Sequence, residues 1–167
     1  MWPILVSIPV LGVALLLQTT ILSRVNLISG SADLILLVLA AWGLQERVRA
    51  AWIWAVVGAL FVSMLSGVPW YVYLVGYLVV VGAARLLTRR VWQAPLLAMF
   101  AVSLIGTLVL QMGTFIVLTF EQVNLPVGET FAKIVLPSIL LNLLLAIPVH
   151  AMVRSLVRRL YPSEVEL

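Results

Sequence analysis

The arginines of this chain fall almost entirely in every second gap between its long apolar runs, and no other feature restricts the fold as much. Arg47 and Arg49 fill one gap, Arg85, Arg89 and Arg90 another, and Arg154, Arg158 and Arg159 follow the last run. The gaps between hold Arg24 with Asp33, then no charge, then Glu121 and Glu129 with Lys133 just beyond. Lys and Arg beside membrane helices stay cytoplasmic, because carrying them across the bilayer is unfavourable and the insertion machinery reads the bias. The alternation predicts an all-α integral membrane protein with both termini cytoplasmic. All 10 basic residues then lie inside except Arg24 and Lys133.

Composition points the same way. With 64% hydrophobic residues, 10% charged and a mean hydropathy of +1.22, the chain lies far from a soluble domain, where about a quarter of residues are charged. Its 167 residues suit a single transmembrane domain of about six helices, each needing roughly 20 residues to cross roughly 30 Å of hydrocarbon. The net charge of +4 does not point to nucleic acid, because the basic residues gather at the ends of apolar runs instead of along one face. Membrane lipids are the partners such residues fit. The chain has no Cys, which excludes disulfides, thiolate metal sites and cysteine nucleophiles together.

The predicted spans are 3–22, 33–45, 51–66, 69–87, 94–120 and 131–153, with 154–167 as a basic cytoplasmic tail. The first is expected to stay uncleaved, since no basic segment precedes it, and Pro9 is expected to kink it. The second is short. About 12 uncharged residues separate Asp33 from Glu46, or roughly 18 Å of helix, so it is a span shielded by its neighbours or a re-entrant segment. The charge pattern favours spanning, because without it Arg47 and Arg49 would lie outside. Gly67, Val68 and Pro69 make a tight outer turn, and Asn124, Leu125, Pro126 and Gly128 belong to an outer loop. Trp2, Trp42, Trp52, Trp54, Trp92 and Tyr161 are expected at the inner interface, and Trp70, Tyr71, Phe120 and Phe131 at the outer one.

The polar residues inside the runs are few, and none is ionisable, which argues against proton pumps and ion-coupled transport. Gln18, Gln111 and Asn142 could form an intramembrane polar cluster or line a pocket. Such amides more often hydrogen-bond across helices. Asp33 is an expected N-cap for the second helix, with a docking role as the other reading. His150 has no neighbouring ligand set and reads as interfacial. Small residues recur at packing intervals: Ala55, Gly58 and Ala59, then Gly76 and Gly82, then Gly106 and Gly113. Most serve internal packing, and Ala55, Ala59, Gly76 and Gly82 are candidates for receiving a partner's helix. Arg154, Arg158 and Arg159 form a cytoplasmic basic anchor that could also meet a protein or anionic lipid. There is no catalytic constellation and no cofactor or metal motif, so an enzyme is not expected.

The order of short motifs resembles the rod shape-determining protein MreD family. It begins with Leu17-Gln18-Thr19-Thr20 and Leu22-Ser23-Arg24, then Gly30-Ser31-Ala32-Asp33-Leu34, similar to the family's Pro-Asp-Leu lead into the second helix. Gly43-Leu44, Ser66-Gly67-Val68-Pro69 and Leu74-Val75-Gly76-Tyr77 follow, and Leu136-Pro137-Ser138, Asn142 and Pro148 look like its last span. Two positions depart: Ala32 replaces the Pro, and Ser63 stands where members often carry an Asp. The resemblance implies a six-transmembrane-helix bundle similar to the substrate-binding subunits of energy-coupling-factor transporters. It also implies a non-enzymatic scaffold of the elongation machinery in the bacterial inner membrane, with MreC as direct partner. MreB, RodA and a class B penicillin-binding protein would belong to the same assembly, which makes side-wall peptidoglycan. No active site is carried over. The rival reading is a vitamin-uptake substrate subunit, with Gln18, Gln111 and Asn142 as pocket amides.

Overall fold

The computed structural model describes residues 2–20, 30–46, 48, 50–90, 94–123 and 126–160, with backbone alone for 2–4, 89 and 90. Among them the fold is all-helical. The helices are α1 (Trp2–Thr20), α2 (Leu34–Gly43), α3 (Ala51–Ser63), α4 (Trp70–Arg90), α5 (Pro95–Phe120) and α6 (Val127–Leu160). Three are long and apolar enough to cross a membrane: Trp70–Thr88 of α4, α5 and α6. Their length and apolar character mark a membrane protein.

Local chemistry sets several boundaries. Pro95 opens α5, where its missing N–H costs nothing. Between α3 and α4, the Ser66 Oγ accepts the Val68 N–H at 3.1 Å and pairs with the Tyr73 hydroxyl at 2.8 Å, closing the turn. At the end of α5, Gln122 takes a left-handed φ of 61°, and the Val123 N–H reaches back to the Leu118 carbonyl at 3.0 Å. That is a Schellman closure with Gln in the place usually given to Gly.

Within α6, Phe131–Val135 is π-helical. The cause lies just beyond it: Pro137 has no N–H for the Lys133 carbonyl, and its ring would strike that carbonyl in a regular α-helix, so the turn widens.

α2 sits at the centre. Ile35, Leu36, Leu37, Val38, Leu39, Ala40, Ala41, Trp42 and Gly43 are all buried, and the helix packs on each of the other five. A helix that is apolar on every side has no face for solvent and must be enclosed. Around it the outer helices form an arc in the order α1, α3, α4, α5, α6. The arc does not close, because α1 and α6 do not pack on each other among the described residues. An apolar groove of about 620 Å³ runs along this seam, walled by Val13 and Leu17 of α1 and Val149 and Met152 of α6, and floored by Leu34 and Val38 of α2.

Several expectations change. The span predicted over 33–45 is a helix of only 10 residues, roughly 15 Å long, or half the hydrocarbon thickness. The run over 51–66 is helical only to Ser63. The outer loop is shorter than expected, since α6 begins at Val127. The tail from Arg154 is not a separate segment: α6 continues through it to Leu160, because Val153, Leu156, Val157 and Leu160 keep an inward face. Trp42 and Trp54 do not join an interfacial belt. They are fully buried and stack at 3.9 Å between α2 and α3, with neither indole N–H bonded among the described residues. Trp52, Trp70, Tyr71, Phe120 and Phe131 are exposed. Trp92 and Tyr161 lie outside the described residues, as do Arg24, Arg47 and Arg49.

Candidate functional site

The polar residues of the bundle converge on the start of α2. A helix leaves its first four N–H groups without intrahelical acceptors, and where no water reaches them each costs several kcal/mol. Here all four are met by side chains. The Asn142 Oδ1 accepts the Asp33 N–H at 2.8 Å, and the Gln18 Oε1 accepts those of Leu34 and Ile35 at 2.9 and 3.3 Å. The Asp33 carboxylate takes the Leu36 N–H at 2.9 Å, completing the cap. One residue upstream, the Ser31 N–H donates to the Ser138 Oγ at 3.1 Å. Gly30 makes that approach possible, since a Cβ there would lie 2.6 Å from the Pro137 side chain and 2.7 Å from the Ser138 nitrogen.

A second ring of bonds holds the first. The Asn142 Nδ2 donates to Thr107 at 2.8 Å, and the Thr107 hydroxyl donates to the Ser103 carbonyl at 2.7 Å, which fixes how the Asn142 amide is turned. The Gln111 Nε2 donates to the Ser138 Oγ at 3.3 Å, and that hydroxyl donates to the Ile134 carbonyl in the π-helical turn at 2.7 Å. The Tyr77 hydroxyl donates to the Asp33 carboxylate at 3.0 Å. One point thus ties α1, α4, α5 and α6 to α2. Beside it lies a cavity of about 230 Å³ lined by Gln18, Asp33, Tyr73, Thr107, Gln111 and Asn142.

The three amides singled out in the sequence therefore line one cavity, and they bond to backbone N–H groups and hydroxyls rather than to one another. Asp33 turns inward onto α2 and Tyr77 and does not present its carboxylate on an outer surface. Ser31, Tyr77 and Ser138 were not singled out for the site. A signal for two of them was present, since Pro137 announces a broken helix where a following Ser can bond back, and Tyr77 is an apolar-run residue with a hydroxyl to satisfy.

The candidate docking residues are used internally. Ala55 and Ala59 are buried in the core, Gly76 faces Leu110 with no room for a Cβ, and Gly82 faces the Trp52 ring. The reason is spacing: small residues bring α3 and α4 close to the helices beside them, and that closeness removes them from the lipid-facing surface.

Arg154, Arg158 and Arg159 stand at the far end of α6 and have no acidic partner among the described residues. Arg85, by contrast, donates to the Gln45 carbonyl at 3.2 Å. The described residues contain no group of three or more His, Cys, Asp or Glu able to hold a metal ion.

No protein-family model, curated protein or solved structure matches the chain.

Proposed function

We propose that the chain is a non-enzymatic scaffold of the bacterial elongation machinery, lying in the inner membrane with six crossings and both termini cytoplasmic. One observation carries this reading. Gln18, the Gly30 to Asp33 segment, Tyr77, the Pro137-Ser138 pair and Asn142 come from separate motifs that give the sequence its resemblance to MreD, and they assemble into one clasp around α2. Motifs that match by accident have no reason to meet in space.

The clasp also bears on the topology. A 10-residue helix cannot bridge a bilayer by itself, but α2 is enclosed by the other helices, so its length need not match the hydrocarbon thickness. The vitamin-subunit reading is weakened by the same geometry. Ligand pockets usually run from about 300 to 1,000 Å³. The cavity here is about 230 Å³, and the amides around it are already bonded to protein.

In this reading MreC is the direct partner, and MreB, RodA and a class B penicillin-binding protein act in the same assembly. A transmembrane helix of MreC occupies the seam between α1 and α6, where Val13 and Met152 are exposed, in place of the small residues used in internal packing. The absence of cysteine makes the test clean. Val13→Cys or Met152→Cys, paired with single cysteines along the MreC helix, should cross-link in a helical periodicity in co-purified complexes. If folded MreC and this chain do not co-purify from mild detergent, the scaffold reading fails.

A further inference from the structure

The start of α5 is built unlike the start of α2. Its N-cap position is Ala94, which has no side chain able to bond, and Pro95 has no N–H at all. The Leu96 and Leu97 N–H groups therefore have no side-chain acceptor among the described residues, at the positive end of a 26-residue dipole. Beside them lies a cavity of about 790 Å³, closed on its other side by the last turns of α6. Three of the α6 residues that line it, His150, Arg154 and Arg158, are four apart and share one helix face.

His150 supplies the independent observation. The residue is only 5% exposed, it lines this cavity, and its Nδ1 is buried with no hydrogen-bond partner among the described residues. Buried polar atoms are nearly always bonded, so an unbonded one beside a cavity marks a missing partner. The cavity thus gathers helix N–H groups, an unpaired imidazole nitrogen and the guanidinium groups of Arg154, Arg158 and Arg159. All of them suit one chemistry, a phosphate bearing several acceptor oxygens. Leu96, Leu97 and Ile147, each exposed, continue the lining as an apolar wall.

We infer that this cavity binds the headgroup phosphate of an anionic phospholipid, with an acyl chain lying along Leu96, Leu97 and Ile147. The apolar wall selects the lipid over a free anion, since a soluble phosphate would leave it unused. The inference rests on the chain being a membrane protein and not on which partner it binds, so it stands or falls apart from the scaffold reading.

The experiment is native mass spectrometry of the full chain, released from detergent containing equal amounts of phosphatidylglycerol and phosphatidylcholine. A retained phosphatidylglycerol adduct is expected in preference to phosphatidylcholine. Arg154→Gln and Arg158→Gln should each weaken it about fivefold, the share of one near-surface arginine. His150→Leu should weaken it about tenfold, as loss of a hydrogen bond to a charged group does. Lys133→Gln, at the opposite end of α6, should leave it unchanged, and thermal unfolding of each variant shows that it is folded. Equal retention of both lipids, or an equal loss in Lys133→Gln, means general surface charge and overturns the site. Displacement of the lipid by millimolar inorganic phosphate means a free-anion site and overturns the lipid assignment.

Discussion

The N-termini of α2 and α5 face the same physical problem and resolve it in opposite ways. At α2 every orphan N–H is met by a side chain, and four neighbouring helices contribute to the arrangement. At α5 the cap position is an alanine, and the groups around it are an imidazole nitrogen and three arginines without a bonded or acidic partner among the described residues. Saturated polar groups hold a structure together, because they gain nothing from a newcomer. Unsaturated ones have something left to bind. The difference separates the part of the molecule that makes the fold from the part open to other molecules.

The comparison breaks most readily at Asn142. Asn142→Leu keeps the volume but leaves the Asp33 N–H without an acceptor, and should lower stability by about 2 to 3 kcal/mol in thermal or denaturant unfolding in detergent. A loss below about 0.5 kcal/mol would mean that the clasp is ornamental. Tyr77→Phe removes one hydroxyl and no packing, and should cost about 1.5 kcal/mol through the lost bond to the Asp33 carboxylate. The smallest effect has the opposite sign. Ala94→Ser gives α5 the cap it lacks and should raise stability by about 1 kcal/mol. No gain there would show that the α5 terminus is already satisfied, and the contrast between the two helices would vanish.

The sequence made the all-helical, membrane-suited character of the chain plain, because apolar runs and charged gaps are properties of side chains alone. It also flagged α2 as too short to face lipid unaided. That α2 is the hub was less visible, since an all-apolar helix announces enclosure without naming its neighbours. The clasp was half legible. Gln18, Gln111 and Asn142 stand out as amides among hydrocarbons, but most of their partners are main-chain N–H groups, which nearly every residue carries and no sequence displays. Trp42 and Trp54 misled for a related reason: a tryptophan suits a headgroup layer and a packed core alike, and only the fold decides between them. The helical continuation past Arg154 was readable from its spacing of Val and Leu. The charges there drew the reading toward a tail.

The bond between Asn142 and the Asp33 backbone joins residues 109 positions apart. A ribosome emits α2 long before it emits α6, so for most of its synthesis α2 lacks the acceptor for one of the four N–H groups of its cap. The placement of the second helix should therefore be completed only late in synthesis. Its Asp33 N–H has no Asn142 acceptor until the last helix arrives. A chain cut short before α6 should therefore be recognised as unfinished and degraded, however complete its earlier helices are.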